Sequence, residues 1–312
     1  MIVIARNFGQ LGNRLFLASH LLAAARHYGV PLLNPSFADY AHYFPQTAGD
    51  LWCRYDEHVR ELHDDSPATI PINPKPLSLW KRKALYKAVY LTGRSLSHLR
   101  LTGGPLHVIR IGHAGHCDLL DPVVAKKIRS RRPLLVAGWR FDSGGLLREH
   151  ADAIRRYFEI APQHRMRVRQ VINRCRERFD HVVGIHIRHG DYANFLGGRY
   201  FYPTSRYVET MRAIQAEHRG RRVGFLICGN GQMNPVDFAG LPFEFGTGHL
   251  VEDMYAFAAC DQLVGPPSTF TGWASFYGDV PLRHLQPTSE AEGQRLPESA
   301  WPSHVAATMV AA

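Results

Sequence analysis

The chain has 312 residues, of which 45% are hydrophobic and 21% charged, and its formal net charge is +10 at pH 7. This composition is typical of a globular protein and excludes a disordered or fibrous one. No apolar stretch approaches the roughly 20 residues that a transmembrane helix needs, so we expect a soluble protein. Five scattered cysteines without CxxC spacing argue against a disulfide framework or a zinc finger and predict a reducing compartment.

The first residues, MIVIARNFGQ, read as a strand and not as a signal peptide, so we expect a cytoplasmic location. A basic stretch from Lys75 to Arg100 carries Trp80, Tyr86 and Tyr90 and predicts a helix. The favoured interpretation is a solvated helical face with its aromatic rings turned inward. The alternative is peripheral contact with the inner face of a membrane. The positive charge also suits nucleic acid, but the basic residues are dispersed and no nucleic-acid-reading motif is present.

Short apolar runs alternate with amphipathic stretches, which predicts layers of helices on parallel strands. In the first half, strands are predicted at 2–5, 31–33 and 134–139, helices at 13–28 and 145–158, and irregular structure at 45–76. In the second half, strands are predicted at 182–188, 223–228, 261–264 and 280–285, and helices at 163–179, 204–218, 251–259 and 268–277. The predicted domains are 1–160 and 161–290, with a terminal helix or tail over 291–312.

The segment GIHIRHGDY, residues 184–192, places two polar side chains on one predicted strand. Residues two apart on a strand share a face, so His186 and Arg188 are expected to point the same way. At the carboxyl end of a strand, Arg188 can hold a phosphate bidentately, and Asp191 can orient it or accept a proton. The alternative is a purely structural ion pair, which is the commoner explanation of an isolated R-x-x-D.

Two other turns suit an anionic ligand. In GPPSTFTGWASF, Ser268 and Thr269 open a predicted helix whose free amides can bind a phosphate, although a simple helix cap is the favoured alternative. In FGQLGNRLF, Gly12 and Asn13 follow the first strand, in a turn that is neither GxGxxG nor a P-loop.

No metal site is predicted. The chain lacks the D-x-D pair that holds a divalent ion beside many nucleotide sugars. The cluster His113, His116, Cys117 and Asp118 offers suitable ligand types without distant partners at zinc-like spacing.

Taken in order, five segments resemble the bacterial α-1,2-fucosyltransferase family, within the wider α-1,2/α-1,6/O-fucosyltransferase superfamily. The resemblance covers residues 2–285 and is carried by LGNRLF, NPSFADY, GWRFDSGGLLREHADAIRRYF, HIRHGDY and EDMYAFAACDQLVGPPSTFTGWASF. It implies a GT-B-like α/β fold, in which two facing doubly wound domains hold the site in their cleft. It also implies an enzyme that uses GDP-fucose as donor, inverts the anomeric carbon, and needs no cofactor or metal.

The resemblance assigns a role to each matched residue. It implies that Arg188 holds the β-phosphate, that His186 lies against the nucleoside, and that Asp253 reads the guanine edge. The remaining donor-site residues are Ser268 and Thr269 at the phosphates and Gly12 and Asn13 in the N-terminal turn. Arg188 and Asp191 are the predicted catalytic residues, with Asp191 orienting the arginine.

The predicted acceptor is a galactoside, free or attached to a lipid, with an α-1,2 linkage. Four departures from the family pattern, at His189, Gln10, Arg14 and Gly272, leave acceptor and linkage open. The alternatives are α-1,6 transfer, transfer to a protein hydroxyl, and a GDP-sugar- or glycan-binding protein without turnover.

Overall fold

The computed structural model describes residues 1–55, 77–98, 104–112 and 115–285. The chain divides into two compact units, Met1–Pro162 and a second that begins at Gln163. The predicted terminal helix at 291–312 and most of the irregular stretch at 45–76 lie outside the described residues. No helix in the described ranges is long and apolar enough to cross a membrane.

The first unit is built on a parallel sheet of four strands. Its strands are β1 (Ile2–Ile4), β2 (Leu32–Leu33), β3 (His107–Arg110) and β5 (Leu134–Ala137), and the order is β2-β1-β5-β3. A separate parallel pair consists of β4 (Cys117–Asp118) and β6 (Phe141–Asp142). Parallel strands are buried on both faces, which explains why the β1 and β5 segments are continuous apolar runs.

Six α-helices accompany this sheet in the described part of the first unit. They are α1 (Leu11–His27), α2 (Pro45–Ala48), α3 (Leu79–His98), α4 (Pro122–Arg129), α5 (Leu146–Glu149) and α6 (Ala151–Tyr157). Helix α1 is apolar on nearly every side and is buried over most of its length, as expected for a core helix. The apolar run LFLASHLLAAA, residues 15–25 of this helix, therefore lies in the core of the first unit.

Helix α3 covers most of the basic stretch that the sequence assigned to a solvated face. One of its cations is not solvated: the Arg82 side chain is buried and donates hydrogen bonds to the carbonyls of Thr47, Ala48 and Asp50 at 2.7, 2.7 and 2.8 Å. A buried guanidinium needs such partners, since an unpaired charge in the interior is costly. Arg82 therefore fixes the amino-terminal part of α3 to the end of α2.

The second unit has a five-stranded sheet in which every neighbouring pair is parallel. Its strands are β7 (His181–Ile187), β8 (Val223–Gly229), β9 (Phe243–Phe245), β10 (Gln262–Gly265) and β11 (Leu282–His284), in the order β11-β10-β7-β8-β9. The central strands β7 and β8 pair over their full length, from His181↔Val223 to Ile187↔Gly229. All carboxyl ends therefore meet at one edge of this sheet.

Four helices complete the described part of the second unit: α7 (Pro162–Arg178), α8 (Thr204–Glu217), α9 (Leu250–Phe257) and α10 (Thr269–Gly278). A core of fully buried side chains fills the space beside the sheet, including Ile185, Met211, Phe225 and Val264. Side chains this well packed lock the strand ends in place, so the loops beyond them start from fixed positions.

Several elements were missed by the sequence analysis or differ from it. Strands β3 and β9 are only four and three residues long, too short to show a period. The start of helix α4 could have been predicted from Asp121, a residue type that commonly caps helices. Its side chain accepts hydrogen bonds from the amides of Val123 and Val124 at 2.8 and 3.1 Å. The helix predicted at 145–158 is two short helices, α5 and α6, separated at His150.

Candidate functional site

The turn after β7 begins one residue earlier than the sequence indicated. Strand β7 ends at Ile187, so Arg188 is the first residue beyond the carboxyl edge of the sheet, and Asp191 opens a short 3-10 turn. In open α/β sheets ligands bind at this edge. The structure therefore places the predicted phosphate-binding arginine where a ligand of the second unit would lie.

Arg188 and Asp191 form a bidentate pair. The arginine donates from Nε to Oδ1 at 3.2 Å and from Nη2 to Oδ2 at 2.9 Å, and its guanidinium lies over the Tyr192 ring at 4.6 Å. The arginine side chain is only 16% exposed, whereas that of the aspartate is 51% exposed. The pair holds a planar cation at the strand end with N–H groups left for a ligand.

Asn230 stabilises this turn, and the sequence analysis did not identify it. It follows β8, and its side-chain oxygen accepts hydrogen bonds from the backbone amides of His189 and Gly190 at 3.1 and 3.2 Å. Its side-chain nitrogen donates to Asp191 Oδ1 at 3.1 Å. A polar residue directly after a strand adjacent to β7 was the available signal, since carboxyl ends of parallel neighbours meet.

The hydrogen bonds at Asp191 also favour the ionised form of its carboxyl group. The donors of Arg188, with a smaller contribution from Asn230, lower the pKa of the Asp191 carboxyl below its ordinary value. A carboxylate stabilised in this way is a poor proton acceptor. Of the two roles that the sequence left open for Asp191, the geometry favours orientation of Arg188 over proton abstraction.

His186 does not share the exposure of Arg188. Its imidazole is buried, stacks on the Phe270 ring at a centroid distance of 4.9 Å, and meets the Phe257 ring edge-on at 5.9 Å. Burial lowers the pKa of His186 to about 3, so the ring is neutral at physiological pH. The side chain therefore supports the first turn of α10 and carries no charge for an anion.

His189, the main departure from the family motif, turns away from the Arg188–Asp191 pair. Its Nε2 lies 2.9 Å from the carbonyl oxygen of Tyr202, which can only accept, so this nitrogen carries the proton and donates it. Its ring packs against Phe201 and, edge-on, against Tyr207. The Tyr207 hydroxyl in turn accepts a hydrogen bond from the Arg188 amide at 3.4 Å. This histidine fastens the turn to the segment before α8.

The start of α10 lies at the same edge, after β10. Ser268 is the N-cap: its Oγ accepts a hydrogen bond from the Phe270 amide at 3.1 Å, and the residue is buried. Tyr192 joins this turn to the β7 loop by donating to the Pro267 carbonyl at 2.8 Å. The helix-cap interpretation of Ser268 is correct for its side chain, while Thr269 begins the helix and brings the amides of the first turn to this edge.

Asp253 lies in α9 near the end of β8. Its Oδ1 accepts hydrogen bonds from the Thr247 amide at 2.8 Å and the Thr247 hydroxyl at 3.3 Å. A Cβ on Gly246 would come within 2.4 Å of this oxygen, so the loop after β9 packs tightly on the carboxyl group. Burial raises the pKa of Asp253. In this conformation the side chain holds the 246–248 loop.

A polar cluster lies next to Asp253 in the chain and consists of His164, His249 and Glu252. One imidazole nitrogen or carboxylate oxygen of each residue lies within 4.8 Å of the others. Glu252 is buried and its Oε1 lies 2.8 Å from His164 Nδ1 and 3.2 Å from Arg167 Nη1. The guanidinium supplies positive charge at the carboxylate. The cluster ties the start of α7 to the start of α9.

Gly12 and Asn13 belong to the first unit, in the first turn of α1. The turn before them depends on Gly9, which has φ +57°, and a Cβ there would come within 2.6 Å of the Asn13 side chain. Arg14 fixes the same turn by donating to the Gly9 carbonyl at 3.3 Å and to Asp39 Oδ2 at 2.8 Å. The Asn13 side chain is therefore packed against a tight turn in which position 9 readily accepts only glycine.

Within the second unit, the structure thus brings together five of the seven predicted donor-site residues at the carboxyl edge of β7, β8 and β10. They are His186, Arg188, Asp253, Ser268 and Thr269, with Asp191 beside Arg188. What this edge offers an anion is one oriented guanidinium and the amino terminus of a ten-residue helix.

A scan against protein-family models and a search of curated proteins give no match. Solved structures do match. Arabidopsis thaliana FUT1, a variant in complex with GDP, superposes with a TM-score of 0.55 at 13% identity, over 93% of this chain and 71% of that one. POFUT1 in complex with GDP-fucose gives 0.54 at 11% identity, over 92% and 98%. These matches confirm the predicted α/β fold with two parallel sheets, as in fucosyltransferase structures of the GT-B type.

Proposed function

We propose that this chain is a glycosyltransferase that moves L-fucose from GDP-fucose to a hydroxyl of a glycan, with inversion and without a metal ion. The observation that carries the proposal is the Arg188 guanidinium, held bidentately by Asp191 at the carboxyl end of the central strand. Two proteins with the same fold support it, since one is in complex with GDP and the other with GDP-fucose. The finer assignment, α-1,2 transfer to a galactoside, rests on the sequence resemblance.

The chemical task is to stabilise the negative charge that develops on the departing diphosphate. Arg188 is already oriented by Asp191 and Tyr192, so little reorganisation is needed when that charge appears. The free amides in the first turn of α10 add a second source of partial positive charge. This combination replaces a divalent ion, and we expect activity to survive EDTA.

Asp191 is proposed to position Arg188 and not to take the acceptor proton. Its lowered pKa makes it a weak base, and both of its oxygens already accept hydrogen bonds from the arginine. The glycan acceptor is proposed to be galactoside-like, and analysis of the product linkage distinguishes α-1,2 from α-1,6 transfer and from transfer to a protein hydroxyl.

The proposal is tested by measuring transfer of fucose to an array of glycan acceptors. Arg188→Ala is expected to lower the rate about 10²–10³-fold, the usual effect of removing one donor to a developing charge. Arg188→Lys should recover little of it, because an ammonium lacks the planar fork.

The chain offers a matched control at the opposite edge of the same sheet. Arg222 precedes β8 and forms a similar bidentate pair with Asp180, donating at 2.7 and 3.2 Å. Arg222→Ala should leave transfer unchanged. Equal losses for the Arg188→Ala and Arg222→Ala variants would mean that the effect is structural. Binding of GDP without transfer to any acceptor would instead favour a binding protein that has no turnover.

A further inference from the structure

A pocket with three arginines lies at the carboxyl edge of the sheet in the first unit. It is lined at its floor by Ala5 after β1 and Ala137 at the end of β5, and around its mouth by Arg6, Arg94 and Arg110. The pocket is open to solvent, and it lies at the edge where α/β sheets bind ligands.

The lining of this pocket contains no acidic residue. Arg6 lies with its guanidinium 4.7 Å from the centre of the Phe8 ring, and Arg110 ends β3 with an exposed side chain. Among the residues that the structure describes, no carboxylate forms an ion pair with Arg6 or Arg110. Arg6 and Arg110 therefore bring positive charge to the pocket without an acidic partner among the described residues, and an oxyanion beside them would balance that charge.

The wall of the pocket is fixed, so the arginines start from defined backbone positions. Helix α3 supplies Tyr90 and Arg94, and Arg82 anchors that helix about two and three turns earlier. The Tyr86 hydroxyl donates to Asn7 Oδ1 at 2.7 Å and accepts from the Asn7 amide at 3.2 Å, which ties the helix to the loop after β1.

Close packing of the helix also shapes the floor. Gly93 faces the sheet, and a Cβ there would already touch Leu135 at 3.4 Å and Ala5 at 3.5 Å. The small residues Ala5 and Ala137 leave space above the strand ends, and the half-buried Tyr90 ring offers an apolar surface beside it. Aromatic rings next to charged donors suit a sugar ring that bears an anionic group, because the face packs on the ring and the charge meets the guanidinium.

We propose that this pocket binds an oxyanion carried by the acceptor glycan, so that the acceptor is an acidic saccharide. The assignment rests on the proposed function, because it treats the ligand of the first unit as the fucose acceptor. A uronic acid carboxylate and a phosphate or sulfate ester share the required chemistry: each presents oxygens that a guanidinium holds with two parallel hydrogen bonds. The diphosphate of the donor is assigned to Arg188 in the second unit.

The test is calorimetry with three oligosaccharides of one backbone, ending in a neutral hexose, its uronic acid, or its phosphate ester. The wild-type chain is expected to bind one of the acidic forms at least about tenfold more tightly than the neutral one. The acidic form with the higher affinity identifies whether the charge is a carboxylate or a phosphate ester. The double variant Arg6→Gln/Arg110→Gln should bind all three equally. The control Arg148→Gln removes an exposed arginine of α5, outside the pocket, and should keep the preference.

The proposal is overturned if the wild-type chain does not prefer either acidic form, or if the double variant keeps the preference. GDP calorimetry on the same variants separates this failure from that of the proposed function. The double variant should bind GDP as the wild type does, whereas Arg188→Ala should not. If the double variant instead loses GDP, the pocket belongs to the donor and the acceptor assignment is wrong.

Discussion

The buried imidazole of His186 is expected to make the second unit less stable as the pH falls. Burial lowers its pKa to about 3 in the folded chain, whereas an unfolded histidine titrates near 6.5. The unfolded chain therefore binds the proton first. The stability that the neutral ring contributes is complete above about pH 6.5 and is lost as the pH falls from there towards 3.

The magnitude follows from the separation of the two pKa values. Below pH 6.5 one such group costs up to about 1.4 kcal/mol per pH unit, which gives about 1.2 kcal/mol between pH 6 and pH 5. His284, whose pKa burial lowers to about 4, lies in the same unit and adds a similar amount. Since the whole free energy of unfolding of a domain is about 5–15 kcal/mol, two such groups cause a large loss.

The assay is urea unfolding of wild type and His186→Phe at pH 7, 6 and 5. Phenylalanine keeps a flat ring against Phe270 and removes the titration. The variant should lose about 1 kcal/mol less than the wild type between pH 6 and pH 5. His27→Gln changes an exposed histidine and should follow the wild type. Parallel pH dependence in wild type and His186→Phe would refute the reasoning.

Three further changes test other parts of the structure. Asp191→Asn leaves Arg188 with a neutral partner. Because the carboxylate it replaces is half exposed, the affinity for GDP measured by calorimetry should fall less than about tenfold. A loss of about 10² or more in the transfer rate at saturating donor would instead mark Asp191 as a proton acceptor. Arg82→Met removes the guanidinium hydrogen bonds to the carbonyls of Thr47, Ala48 and Asp50 and should lower the free energy of unfolding by about 1–3 kcal/mol in urea. An unchanged value would contradict the anchoring of α3. Gly278→Ala would put a Cβ 1.9 Å from the Ala258 carbonyl oxygen, so the same measurement should show a loss of about 1–3 kcal/mol, and a neutral effect would mean that the contact relaxes freely.

The sequence predicted the second unit well because local pattern and fold agree there. The apolar run ending at Ile187 identifies a buried strand, and Ser268 before an apolar helix marks a cap; both depend on neighbours within a few residues. Arg188 could be placed for the same reason, since the first polar residue after a buried strand must lie at the sheet edge.

Features that depend on distant contacts could not be predicted. The position of Asn230 after a predicted strand marked it as a candidate, but its role at the β7 turn requires β7 and β8 to be neighbours in register, which no local pattern encodes. The direction of His189 depends on the Tyr202 carbonyl, thirteen residues away. The burial of Arg82 likewise requires the carbonyls at the end of α2, more than thirty residues earlier in the chain. In each case a polar side chain satisfies backbone groups that the fold brings to it.

The central claim is that Arg188 holds the diphosphate of a guanosine nucleotide. Isothermal titration of the wild-type chain with GDP, ADP and UDP tests it most directly, with the Arg188→Ala and Arg222→Ala variants alongside. The account predicts that GDP binds more tightly than ADP or UDP to the wild type and to Arg222→Ala, and that Arg188→Ala loses at least about tenfold in affinity for GDP. Equal affinity for the three nucleotides, or unchanged binding of GDP by Arg188→Ala, would contradict it.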